Sequence, residues 1–178
     1  MNLVKTIFSM MFMILILFSC FNSNDKNNLA KEEIAITKFS QSDSVTSYQL
    51  SINGLKIGDF KEKLLKYFGN PSQIEEGDNE FQNSKFVDLV YGNSNFTLEN
   101  DKLVSFEIND KSFILDVLNI HIGQQTEELR AIFPNSYRNA ENINGVFTIN
   151  IFVKDLDQHL VFSFVDGKLI GFLLTGTE

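Results

Sequence analysis

Few residues in this chain are of a type that does chemistry: two histidines, one cysteine and scattered acidic runs. His159 closes the segment Lys154-Asp155-Leu156-Asp157-Gln158-His159, so Asp155, Asp157 and His159 form a candidate binding loop. Carboxylates beside an imidazole are the start of a metal site or of a Ser-His-Asp relay. No further group stands at a spacing that completes either one. The expectation is therefore a non-enzyme with no catalytic residues, no metal and no cofactor. His121 lies between Ile120 and Ile122, where an alternating strand turns it to solvent. The run Glu75-Glu76-Gly77-Asp78-Asn79-Glu80 offers carboxylates to calcium without the spacing of a calcium loop, and reads as a solvated acidic loop. There is no phosphate-cradling glycine loop and no paired-cysteine zinc spacing.

Cys20 has the most informative neighbours. Lys5 precedes the mostly apolar stretch Thr6 to Phe18, the layout of a secretory signal. As a helix rising ~1.5 Å per residue this stretch spans roughly 20 Å, short of a ~30 Å hydrocarbon layer. It ends in Leu17-Phe18-Ser19-Cys20, which resembles the lipobox of bacterial lipoproteins, although Phe18 is bulkier than the family's usual residue. The resemblance implies a signal peptide over 1–19, a diacylglycerol on the Cys20 thiol and an acyl chain such as palmitate on its amine. It further implies a lipid-anchored cell-envelope protein, in the outer membrane because Phe21 rather than Asp follows. Acyl chains at ~0.8 kcal/mol per buried methylene anchor such a protein stably. An uncleaved anchor helix and a plain secretory signal remain alternative readings. With one cysteine no internal disulfide can form, so the core alone must hold the fold.

Residues 20–47 are polar and predict a flexible tether, which for ~25 residues spans on the order of 28 Å. Within it, Glu33 to Phe39 alternates like an edge strand, and Leu29 to Ile34 reads equally as a short helix. The stretch Leu55 to Pro71 then returns in degenerate form as Ile120 to Asn135, 65 positions on, with Gly58 on Gly123, Leu64 on Leu129 and Phe68 on Phe133. Recurrence at a fixed interval predicts a duplicated unit. Each copy predicts a lead-in strand (Tyr48, Leu50, Ile52; Phe113, Leu115, Val117), a short helix and a meander. Asp59 with Glu62 has the form of a capping box, and Gly69-Asn70-Pro71 of a stop. The second helix is less well written, with Gln124 at the cap and Pro134 at the end. Phe86 to Tyr91 is matched with Phe147 to Phe152. Phe96 to Phe106 is matched with Phe162 to Phe172 at an interval of 66, around the turns Asn100-Asp101 and Asp166-Gly167. The expected inner face holds Phe96, Leu98, Val104, Phe106 and Ile108, mirrored by Phe162, Phe164, Ile170, Phe172 and Leu174. The fold class is α+β: two tandem repeats (about 48–110 and 111–178), each a short helix on an antiparallel β-meander, in one domain over 48–178. One copy of ~60 residues buries too little surface to stand comfortably alone.

Ile57-Gly58, a helix and Phe68-Gly69-Asn70-Pro71 before a meander resemble a motif of the SmpA/OmlA lipoproteins of the barrel-assembly machinery. The duplicated plan is similar to the β-lactamase-inhibitor protein. These resemblances imply a fold and a habit of binding proteins, and no specific functional residue transfers. Lys5 is the only basic residue before Cys20, so the other 14 basic residues stand with all 23 acidic ones, a net of −9. That sign excludes a nucleic-acid partner and a polybasic grip on lipid heads. The leading expectation is a non-catalytic protein-binding module, with envelope assembly as one setting. An immunity or inhibitor protein and an envelope hydrolase or small-ligand carrier are the alternatives. Tyr91 and Tyr137 are candidate aromatic anchors, and Asn139 to Gly145 is a second candidate loop. Cys20→Ala is expected to abolish palmitate labelling, leave the signal uncleaved and release the protein from the membrane fraction. A variant that stays membrane-bound and fully processed overturns the lipoprotein reading.

Overall fold

Two tight turns organise the molecule. In the computed structural model, which describes residues 43–79 and 84–176, Asn100, Asp101, Asp166 and Gly167 lie at φ of 50°, 59°, 49° and 72°. This left-handed geometry matches the twist of the strands that each turn joins. In chain order the elements are β1 (Ser44–Val45), a 3-10 turn (Ser47–Gln49), β2 (Ser51–Ile52), β3 (Leu55–Lys56), α1 (Lys61–Phe68), β4 (Gln73–Asn79), β5 (Ser84–Tyr91), β6 (Ser94–Glu99) and β7 (Lys102–Ile108). There follow β8 (Ile114–Leu115), β9 (Ile120–His121), α2 (Thr126–Ile132), α3 (Pro134–Arg138), β10 (Glu141–Ile143), β11 (Val146–Val153), β12 (Gln158–Val165) and β13 (Lys168–Gly176). The signal segment, Cys20 and the tether up to residue 42 lie outside the described residues. Among those described, no helix is long and apolar enough to cross a membrane.

The architecture is α+β and mostly strand. One large sheet runs β1-β11-β12-β13-β7-β6-β5-β4, with β10 also on β11, and a small sheet runs β3-β2-β8-β9. The large sheet is sewn at its middle by β7 against β13, pairing Ile108 with Phe172, Glu107 with Leu173 and Phe106 with Leu174. Glu107 and Leu173 are 66 positions apart, the interval at which the two hairpins match. Each helix is attached to its hairpin turn by the same bonds. Gly58 N donates to Leu103 O, Leu103 N to Asp59 O and Lys61 N to Asp101 O; Gly123 to Leu169, Leu169 to Gln124 and Thr126 to Gly167 repeat them. Leu64 of α1, Leu129 of α2, the small sheet and both hairpins share one buried cluster.

Several expectations are corrected. β7 and β13 each carry a bulge: Thr97 pairs Ser105 while Leu98 pairs Leu103, and Ser163 pairs Gly171 while Phe164 pairs Leu169. The extra residue in each is Val104 or Ile170, and it reverses the phase. Leu103 and Leu169 are therefore buried in their place. The match of Phe86 to Tyr91 with Phe147 to Phe152 slips by one. Leu89 pairs Phe96 as Ile149 pairs Phe162, so Leu89 corresponds to Ile149; a one-residue slip exchanges the faces. Asp59 is not the cap. Phe60 bridges to Lys102 and stays extended, so α1 starts one residue later, and Asp59 Oδ2 accepts instead from Lys56 N (2.7 Å) and Lys63 Nζ (2.6 Å). Pro134 opens a further helix, α3, because its fixed φ suits a first helical position.

The acidic run is not a loop over its described part. Gln73–Asn79 is an edge strand along β5, and its Gly77 leaves room for the Phe86 ring, which a Cβ there would strike. The lead-in strands are only two residues long, with Tyr48 and Val117 exposed. The last residues assigned to the tether belong to the body: Ser44 and Val45 pair in parallel with Phe152 and Val153, and Val45 is buried. Leu169 is 1% exposed and Ile170 45%. In urea unfolding, Leu169→Ala is expected to cost about 2–5 kcal/mol. Ile170→Ala should stay within about 0.5 kcal/mol. The reverse order would show that the bulge is misplaced.

Candidate functional site

The loop singled out by its carboxylates and imidazole does not assemble a reactive centre. Asp155 is committed to the N-terminal segment: its carboxylate accepts from Ser47 N (2.8 Å) and Ser47 Oγ (2.6 Å). Both bonds, the backbone N–H included, hold its carboxyl below the usual aspartate range. Asp157 occupies a turn position at φ 51°. His159 lies on β12 with its ring 5.6 Å from that of Phe152. Burial pushes its imidazole down, and the Asp157 carboxylate partly offsets this. His121 is exposed, as its position between two core isoleucines predicts. Among the described residues no group of three His, Cys, Asp or Glu side chains is placed to hold a metal.

The aromatic candidates are half-buried. Tyr137 packs on Phe147 (5.4 Å) and lies under the Arg130 guanidinium (5.4 Å). Tyr91 donates its hydroxyl proton to Gly69 O (2.9 Å), and burial raises its pKa. Sequence reasoning missed what surrounds Tyr91. A cleft of about 460 Å³ opens there between the end of α1, the β5–β6 turn, the linker into β8 and the β2–β3 turn. Phe68, Tyr91 and Phe113 supply its rings; Asn53, Asn70, Ser72, Asp110 and Ser112 supply its polar rim. The Phe68 ring lies 5.8 Å from Tyr91 at 71° and 5.1 Å from Phe113 at 87°, so two rings stand nearly upright against a third. It is an open cleft in which aromatic surface lies beside polar and acidic side chains.

The matching end of the second half is built differently. Beyond the Leu89–Phe96 pair, β5 runs two residues to a two-residue turn at Gly92-Asn93. Beyond Ile149–Phe162, β11 runs four residues to a four-residue turn, Lys154 to Asp157. Phe133, the counterpart of Phe68, is followed by α3 and not by an extended Asn-Pro-Ser. Asp43 lies at the start of α3, accepting from Asn135 N (2.8 Å) and Ser136 N (2.9 Å) and donating its own N–H to Ser136 Oγ (2.9 Å). Val45 and the Ser47–Asp155 latch complete the closure.

No protein-family model and no curated protein sequence matches the chain. Among solved structures, an extracellular SCP-domain protein of Bacillus anthracis aligns over 75% of this chain at 17% identity and a TM-score of 0.49. This chain spans 46% of that protein's length. A candidate β-lactamase inhibitor protein of Streptococcus mutans aligns over 82% of this chain and 96% of its own, at 16% identity and a TM-score of 0.31.

The latch has a pH window. A carboxyl with depressed folded pKa stabilises the fold fully above its unfolded value of about 3.9 and loses that contribution as pH falls through the folded one. In Asp155→Ala at neutral pH, the Ser47 amide is expected to lose hydrogen-exchange protection while the β12–β13 amides keep theirs. Equal loss at both places would mean that the segment and the sheet open together.

Proposed function

We propose that this chain is a non-catalytic protein-binding module of the cell envelope, built by duplication of a helix-on-meander unit and displayed from a lipid on Cys20. The observation that carries the binding reading is the contrast between the two ends. In the second half a segment of the chain itself, Asp43 to Gln49, closes the end through the two-residue strand Ser44–Val45, a buried Val45 and bonds to the Asp43 and Asp155 carboxylates. In the first half the corresponding end is a cleft floored by aromatic rings. A surface that accepts a peptide segment at one end of a near-symmetric body is suited to accept one at the other, and clustered aromatics favour such anchoring. The duplication reading is supported by the shared 65- and 66-residue intervals, the repeated helix–turn bonds and the counterpart pairing of β7 with β13.

The charge favours one version of this role: an inhibitor or immunity protein for a basic toxin or enzyme, met by a chain whose acidic residues outnumber its basic ones by 23 to 15. Affinity capture from detergent-solubilised envelopes with the tagged, lipidated, full-length protein is expected to return the same partner repeatedly. Asn70→Trp, which places a bulky ring at the exposed rim of the cleft, is expected to lose it. Repeated capture of nothing, or a partner indifferent to Asn70→Trp, sinks the reading.

A further inference from the structure

Resting on the protein-binding reading of the cleft, we propose that it takes the cationic side chain, lysine or arginine, of the partner protein. Three hydroxyls line the cleft, and each has one proton to give. Tyr91 gives its proton to Gly69 O (2.9 Å), Ser72 to Val90 O (3.0 Å) and Ser112 to Asp110 Oδ1 (2.8 Å). All three protons are spent inside the protein, so these oxygens offer only lone pairs. Asn53 gives one of its two Nδ2 protons to Ser112 O (2.8 Å) and accepts at Oδ1 from Ile114 N (2.8 Å), so the rim's remaining N–H groups belong to neutral carboxamides, those of Asn53 and Asn70.

Asp110 adds a charge. Its Oδ1 takes the Ser112 N–H (2.9 Å) and hydroxyl, while Oδ2 faces Gly92, where a Cβ would stand 3.3 Å from it. The Ser112 backbone bond and then its hydroxyl hold the carboxyl below the usual range, so it is an anion at neutral pH. Among the described residues no basic one lines the cleft. Lone pairs, one carboxylate and adjoining aromatic surface are what a cationic donor with an aliphatic stem seeks. An acidic group would meet the Asp110 carboxylate as a like charge.

The test is a chemical-shift titration of the 15N-labelled full-length chain in detergent micelles. The probes are the Nα-acetyl methylamides of lysine, arginine, norleucine and glutamate, with cadaverine as a free amine. The lysine and arginine probes are expected to give saturable shifts at Gly92, Asp110 and Ser112, and the norleucine and glutamate probes none. Asp110→Asn, whose amide oxygen can still accept from Ser112, is expected to weaken the lysine probe at least about tenfold, as loss of a hydrogen bond to a charged group implies. Tyr91→Phe, which keeps the ring and removes one lone-pair donor, should weaken it less. Equal binding of norleucine, any binding of glutamate, or an unchanged affinity in Asp110→Asn overturns the proposal. Cadaverine binding more than tenfold tighter than the lysine probe overturns the assignment to a protein side chain in favour of a free amine. The envelope capture separates the two readings. A partner retained by Asp110→Asn alongside silent cationic probes ends this proposal and spares the protein-binding one. Cationic probes that bind as expected beside empty captures support the cleft chemistry and end the protein partner.

Discussion

Three residue pairs join the two halves of the large sheet. Where β7 meets β13, Phe106, Glu107 and Ile108 face Leu174, Leu173 and Phe172, and the Ser105 hydroxyl adds a bond to the Leu174 carbonyl. Without that seam each half is a hairpin-rich unit too small to remove enough apolar surface from water. With it, the Phe106 and Phe172 rings stand edge to face 6.1 Å apart across the join, and Phe162 lies tilted 5.9 Å from Phe172. The core is therefore continuous through the middle of the sheet. The starts of α1 and α2 are bonded to the hairpin turns of β6–β7 and β12–β13, so the seam that places those turns also places the helix starts.

The seam also explains why the two ends can differ without cost to the centre. The helix–turn attachments repeat bond for bond, while the longer β11–β12 hairpin, the α3 insertion and the Asp43 to Gln49 segment all gather at one end. Variation at the rim of a fixed scaffold is where binding surfaces arise. The closed end is covered by a segment of the chain itself; the open end presents rings and acceptors with nothing of the described chain filling the cleft.

Much of the plan was legible in the sequence because it rests on local chemistry. The Asn100-Asp101 and Asp166-Gly167 turns announce themselves through residues that tolerate positive φ, and α1 through its spacing and its Gly69 stop, which sits at φ 77°. What escaped is set by long-range pairing. Val104 and Ile170 alternate correctly on paper, and only the partner strands reveal that each is the extra residue of a bulge. β4 carries Glu75, Glu76 and Asp78 on an edge, so its strand character leaves no apolar alternation to read. β1 is two residues of an otherwise polar segment, fixed by β11 more than 100 positions away. Asp155 and His159 drew attention as reactive types, yet one is a latch and the other packs beside a phenylalanine. The cleft around Tyr91 draws on four separate segments, and no single stretch carries its signature.

The outer margins of the large sheet are finished in unlike ways. At one margin β4 exposes carboxylates along its length; at the other, β11 is shared between antiparallel β10 and parallel β1, which meet it from opposite senses. Two copies brought margin to margin at β4 would set like charges against each other, and the mixed margin offers no straight ladder to extend. Among the described residues, charge at one side and mixed pairing at the other both work against the joining of copies edge to edge.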